Sequence, residues 1–287
     1  MSLFNNTAIV LLASFSLLSL VRSVAIIENN KDSKKSVNNN EKFKDKKIDN
    51  EYIKMFWVGL MDGNGSIQVN HLKKQSIQYR LVIKLSNLRS NYNMLIIIAK
   101  VIGGTVIITG KDKYVIWVVN NKELIKEIIK IFDIYSLLTS RKICQLEFLK
   151  NCLRKNSIDW YLSNRNLKYL NQLAIIRSYM FGFEKGNLSL PTYFKAWLSG
   201  FVEAEGCFCI RKNNNHSFSI GQKDDIFLIN IIKQYFNTTN IIRNPYTNFY
   251  LLEIYKKDTI YTIIDHFNSY PLLGEKEESF HQFKLKF

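Results

Sequence analysis

Residues 57–67 read WVGLMDGNGSI, and residues 198–208 read LSGFVEAEGCF. Setting Gly59 over Gly200 also matches Val58 with Ser199, Leu60 with Phe201, Asp62 with Glu203 and Gly65 with Gly206. The copies lie 141 residues apart, far beyond a solenoid repeat and close to the length of one small domain. That spacing predicts two similar domains packed as a pseudo-dimer. Two further blocks keep the same order. IIKIFDIYSLLTSRK (128–142) matches IIDHFNSYPLLGEKE (263–277), and NMLIIIAKVIGG (93–104) lies over IFLINIIKQYFN (226–237). The offsets there are 135 and 133, so the second copy is shorter mainly just after the motif. The copies differ at one telling position: Glu205 stands where the first has Asn64.

Hydrophobic periodicity extends the repeat to whole units. A helix over about 50–63 carries the first motif and stops near Gly65. Ser66, Gln68 and Asn70 then alternate with Ile67 and Val69, the period of a half-buried strand. A turn near 73–76 leads to a second strand, where Gln78, Arg80 and Lys84 oppose Tyr79, Leu81, Ile83 and Leu85. A helix near 91–102, a Gly103-Gly104 break, strands near 105–109 and 114–119, a helix at 122–132 and a further helix from about 139 complete the first half. In the second half Pro191 is expected to open the motif helix, where its missing N–H is harmless. Strands follow near 207–212 and 216–222, a helix at 224–236, strands near 240–244 and 248–255, and a helix at 258–267. The expected class is α+β: two pseudo-symmetric α-β-β-α-β-β-α units with antiparallel sheets, over residues 51–152 and 191–287, joined by a linking region at 153–190. Each sheet is expected to keep a polar, basic face open.

Charge points to the partner. The chain of 287 residues carries a formal +16. Arg22 alone in residues 1–27, and seven lysines against five acids in 28–50, account for +3, which leaves +13 on residues 51–287. A folded surface this basic favours polyanions, either nucleic acid or an anionic membrane. The four cysteines, Cys144, Cys152, Cys207 and Cys209, form no CxxC pair and no zinc-type spacing, so reduced thiols in a reducing compartment are expected. Residues 3–21 are uncharged, and AIVLLASFSLLSLV is apolar. The segment 1–27 therefore reads as a signal, a short anchor or a fused foreign segment, and leaves membrane association open. Residues 28–50 read as a polar linker unable to bury enough apolar surface to fold alone.

The repeated stretch resembles the LAGLIDADG motif, and two copies in one chain resemble a single-chain LAGLIDADG homing endonuclease of the organellar, intron-encoded type. The resemblance covers residues 51–287. It implies motif helices packed at the domain interface, sheets forming a saddle over the DNA major groove, and divalent metal, usually magnesium, for phosphodiester hydrolysis. It further implies metal ligation at the helix ends by Asn64 and Glu205 with the adjacent Gly63 and Ala204. Basic residues after the Leu-Leu pairs, Arg141 (with Lys142 as the alternative) and Lys276, would steady the attacking water and phosphate charge. The resemblance also implies a monomeric pseudo-dimer with no obligate protein partner, a mitochondrial matrix location, and residues 1–27 as upstream exon read in frame.

Residue chemistry accounts for the motif independently. Gly59 and Gly63, like Gly200 and Ala204, are four apart on one helix face, where small residues let two backbones approach. Such a crossing brings positions 64 and 205 together, and carboxylates there would hold a hard cation through oxygen. Asp62 and Glu203 lie about 200° around their helices from those positions and are expected to brace the helix ends. Asn64 departs from the family pattern. It is neutral, so impaired or single-strand cleavage is expected, with an RNA maturase acting on its host intron as the alternative. For duplex contact the strand faces offer Gln68, Asn70, Arg80, Lys84, Arg211, Ser217 and Ser219, and the hairpin tips Lys73, Lys74, Lys212 and His216.

Overall fold

The computed structural model describes residues 48–186, 189–211 and 215–287. The apolar segment 1–27, most of the 28–50 linker and Lys212 lie outside these residues. Residues 48–287 form one compact unit. No helix among the described residues is long and apolar enough to cross a membrane.

Helix α1 (Asn50–Gly63) starts where the Asp49 carboxylate accepts from the Tyr52 N–H at 2.6 Å, satisfying a donor that has no intrahelical partner. It runs directly into β1 (Gly65–Leu72), which turns back into β2 (Ser76–Ser86). Then come α2 (Arg89–Ile102), β3 (Thr105–Thr109), β4 (Tyr114–Val119), α3 (Lys122–Ile134) and α4 (Ser140–Lys155). After a connecting stretch the pattern repeats as α7 (Phe194–Glu205), β5 (Gly206–Ile210), β6 (His216–Lys223), α8 (Ile226–Tyr235), β7 (Ile242–Tyr246), β8 (Phe249–Ile254), α9 (Lys257–Ser269) and α10 (Glu275–Leu285). Each half holds one antiparallel sheet of four strands, ordered β1-β2-β4-β3 and β5-β6-β8-β7.

One face of each sheet is sealed by helices. In the first half Ile67, Leu81, Ile83, Val115 and Trp117 are buried against α1, α2 and α3, and Trp57 stacks on Phe132 at 4.9 Å while meeting Trp117 edge-on at 5.7 Å. Phe218, Ile220, Leu252 and Ile254 do the same in the second half. The two cores merge through α1 and α7 into one cluster. Shared burial of this kind makes the halves a single cooperative body.

The structure departs from the sequence reading in the connector and at some boundaries. Residues 153–190 contain helices α5 (Ile158–Asn164) and α6 (Gln172–Glu184). α6 has no fully buried residue; Ile176, Tyr179, Met180 and Phe183 lay one half-buried face on the core, with Tyr179 stacked on Phe227 at 4.6 Å. Pro191 does not open the motif helix. Its carbonyl accepts from the Phe194 N–H at 2.9 Å in a turn, and α7 begins at Phe194. β7 lies two residues later than expected and is irregular between Arg243 and Tyr246. α10, the counterpart of α4, follows the last helix that periodicity predicted.

Candidate active site and nucleic-acid interface

The site is built on the crossing of α1 and α7. A Cβ added to Gly59 would stand 1.9 Å from the Trp197 carbonyl oxygen, and one added to Gly200 would stand 1.8 Å from the Phe56 carbonyl oxygen. Each glycine therefore admits the partner's backbone. Nearer the helix ends Gly63 faces the Ala204 methyl, with a notional Cβ 2.2 Å from it and 3.4 Å from Glu205 Oε1. The expected interface of Gly59, Gly63, Gly200 and Ala204 is thus present as contact. It lays the Glu205 side chain alongside Gly63, one residue from Asn64.

The two helix ends are not equivalent. Asn64 is exposed, and its N–H closes the helix on the Leu60 carbonyl at 2.9 Å. It borders a cleft of about 290 Å³ that also meets Lys84, Tyr114, Ala204 and Lys276. Glu205 is largely enclosed, and burial raises its pKa against the opposing pull of Lys142 and Lys276. The charges of Lys142 and Lys276 favour its ionised form.

Arg141 and Lys142 separate clearly. The Arg141 guanidinium lies 4.6 Å over the Tyr169 ring, on the connector side and away from the crossing. This corrects the expected placement of Arg141 at the site: one step along a helix turns a side chain by about 100°. Lys142 turns inward instead, and its Nζ donates to the Gly65 carbonyl at the start of β1. Burial lowers its pKa, while Asp62 and Glu205 oppose that shift. Lys276 reaches the cleft from the other half, with its backbone N–H donating to Glu203 Oε1 at 2.8 Å.

Asp62 and Glu203 brace the frame. Asp62 accepts from the N–H groups of Leu138 and Thr139 at 2.7 and 3.1 Å, from Thr139 Oγ1 at 2.6 Å and from Trp197 Nε1 at 2.8 Å. Burial still pushes it up to about 6. Glu203 accepts from the N–H groups of Leu273, Gly274 and Lys276. Each acid thereby ties its motif helix to the first turn of α4 or α10, where a helix N-terminus favours negative charge. A second, reciprocal pair escaped sequence reasoning. Asn91 Oδ1 accepts from the Glu275 N–H at 3.0 Å, and Asp225 Oδ2 from the Ser140 N–H at 3.1 Å, so each half caps the other's helix. Repeat offsets near 133 set Asn91 beside Asp224 and Asp225, a signal that was available.

A hard cation takes oxygen ligands. At the crossing Gly63 meets Ala204 and the Glu205 side chain, with Asn64 one residue further on. No cluster of three or more His, Cys, Asp or Glu suited to a metal occurs among the described residues. Of the four expected ligands, Glu205 alone would bring a negative charge.

On the first sheet, Gln68 pairs with Arg80 and Asn70 with Gln78, which places Gln68, Asn70, Arg80 and Lys84 on the face opposite the core. Lys84 Nζ sits 3.8 Å over the Tyr114 ring, and Lys73 and Lys74 form the exposed hairpin turn. On the second sheet Cys207 pairs with Ser219 and Cys209 with Ser217, so these four and Arg211 share the outer face. Both thiols are free and exposed, while Cys144 and Cys152 are free and buried. Ser217 belongs to this face but is only 3% exposed. His216 is a correction. It pairs with Ile210 at the base of the hairpin loop, on the inner face, and packs at 4.8 Å on Phe283 and 5.1 Å on Phe287, so its side chain is buried and not presented at the tip.

Residues 57–152 and 198–286 match the family model described as LAGLIDADG endonuclease. Among curated proteins, the chain is 53% identical to "Probable intron-encoded endonuclease aI3" of Debaryomyces hansenii, covering 86% of this chain and 39% of that protein. It is 49% identical to the protein of the same name from Dictyostelium citrinum, covering 85% of this chain and 98% of that one. Among solved structures it resembles the LAGLIDADG meganuclease I-AabMI bound to uncleaved DNA, with 22% identity, a TM-score of 0.61, and coverage of 81% of this chain and 89% of that one. The I-LtrWI homing endonuclease bound to target DNA gives 22%, 0.61, 83% and 90%. At that identity the likeness is one of fold.

Proposed function

The chain belongs to the LAGLIDADG endonuclease family, and from that premise we propose that it is a site-specific DNA endonuclease of the homing type. It acts as a monomeric pseudo-dimer, with units over 51–152 and 191–287, in the mitochondrial matrix. The single observation that carries this reading is the α1–α7 crossing. It sets an enclosed carboxylate, flanked by two lysines, at the junction of two sheets whose outer faces are free of helices. The relatives' names favour cleavage over the splicing role.

The outer strand faces lie in the major groove, with Gln68, Asn70, Arg80 and Lys84 on one half-site and Arg211 and Ser219 on the other. Lys73 and Lys74 meet phosphates from the hairpin turn. Phosphate contacts fix the register, and the strand residues read base edges. Glu205 would hold a magnesium ion, with the backbone oxygens of Gly63 and Ala204 and the Asn64 amide as the further expected ligands. When bound, such an ion supplies Lewis-acid stabilisation and a more acidic water. Lys142 and Lys276 favour the ionised form of Glu205 against its burial, and stabilise negative charge on the scissile phosphate. Asn64 leaves the other helix end without a carboxylate, so one strand is cut faster than the other and nicked duplex accumulates.

Duplex binding measured against salt tests the interface. Counterion release requires log affinity to fall linearly with log salt, with a slope near −0.9 per phosphate neutralised. A steep slope is expected, and Lys73→Ala with Lys74→Ala should reduce it by roughly two. A flat profile would refute the polyanion interface.

A further inference from the structure

The outer face of the second sheet carries an acid among its basic residues. Glu253, on β8 opposite Ser219, has a side chain 19% exposed. It accepts from Arg211 Nη2 at 2.5 Å and also from Arg243 Nη2. Arg211 follows β5 and Arg243 lies on β7, so two guanidiniums from opposite edges of the sheet converge on one carboxylate. To reach it, Arg211 must cross β6, the strand between β5 and β8. The arginine side chains remain 53% and 58% exposed. By contrast, the four strands of the first sheet contain no Asp or Glu among the described residues.

An unpaired acid on a surface that meets DNA would repel phosphate. Held between two guanidiniums, Glu253 leaves the group net positive. It also changes what the arginines can do. A free surface arginine loses much rotamer freedom when it binds, whereas one already held by a carboxylate has less to lose. Each guanidinium has five donors in a fixed fork, and the contact with Glu253 leaves most of them unused. Two such donors match O6 and N7 of guanine in the major groove.

We infer that Arg211, Glu253 and Arg243 form a specificity-determining cluster, in which the carboxylate fixes two guanidiniums to read two guanines in the half-site under the second sheet. This rests on the duplex-binding function proposed above. The same three residues as a plain surface ion network would add little to stability and nothing to base choice.

The test is selection of the full chain against a random-sequence duplex library, repeated with Arg211→Ala, Arg243→Ala, Glu253→Gln and the double variant of Lys73 and Lys74. The wild type should enrich guanine at two positions in one half of its motif. Each arginine variant should lose preference at one of them by roughly tenfold or more, the range of a bidentate guanine contact. Glu253→Gln removes a negative charge and so favours DNA electrostatically, yet it should loosen both positions. The lysine pair should weaken binding evenly and leave the motif unchanged. A motif without guanine in that half, or one retained by all three cluster variants, overturns the inference. Failure of the wild type to retain any duplex would instead overturn the binding function itself, and is seen before any variant is made.

Discussion

Alanine at Gly59 is expected to destabilise the protein by about 3 kcal/mol or more, and the sign of that change is the decisive part. In an ordinary helix interior, Gly→Ala stabilises by roughly 0.5–1 kcal/mol, because alanine loses less backbone entropy. Here the new Cβ would lie 1.9 Å from the Trp197 carbonyl oxygen, where ordinary contact begins near 3.4 Å. The helices must part by about 1.5 Å, and the obstacle is backbone, which cannot rotate aside. Overpacking typically costs about 1–3 kcal/mol when side chains can yield, so a backbone clash belongs at or above that range. Parting the helices also strains the 2.8 Å bond from Trp197 Nε1 to the buried Asp62 carboxylate, which crosses the same interface. Displacement of Glu205 by about 1 Å is enough to lower turnover roughly a hundredfold. Urea unfolding at equal m-value gives the stability change, and cleavage of a selected site gives the turnover. A Gly59→Ala protein as stable as the wild type, or more so, would refute the close crossing.

Lys142→Met should lower cleavage strongly while leaving duplex affinity within a few fold, whereas Arg141→Met should affect cleavage little; equal effects would remove the inward placement of Lys142 as its cause. Asp225 is buried, pushed up to about 7, and replaced by an amide at its pseudo-equivalent Asn91. Burial raises this carboxyl above its unfolded value, so its contribution to stability is full below about pH 4 and is lost as pH rises through 7. Asp225→Asn should therefore raise the melting temperature at pH 8 and flatten its fall between pH 5 and 8; an unchanged pH profile would show that Asp225 does not bind the proton.

Much of the fold was legible because the repeat supplied its own control. The motif helices, the hairpins and the alternation of Gln68, Arg80 and Lys84 against Tyr79 and Leu81 follow from period alone, and the observed register keeps them. The crossing was legible from Gly59 and Gly200 because only small residues admit a backbone. What escaped depends on contacts between distant segments. Nothing local separates Arg141 from Lys142; the choice is made by Tyr169 on one side and Gly65 on the other. His216 looked like a hairpin-tip residue, but its register opposite Ile210 sends it to the core. Glu253 and Arg243 lie on different strands, and only the strand order of the second sheet brings them together with Arg211. The connector helices α5 and α6 have no counterpart in the second half, so the repeat could not point to them, and the face of α6 is only half-buried.

The central claim is that Glu205, at the end of the crossing, carries the hydrolysis and that Asn64 limits the other strand. A supercoiled plasmid bearing the selected site, incubated with magnesium and the full chain, reports both at once. The wild type should give mainly nicked circle, Asn64→Asp should shift product towards linear DNA, and Glu205→Gln should give neither while still binding the duplex. Cleavage by Glu205→Gln at the wild-type rate would contradict the account.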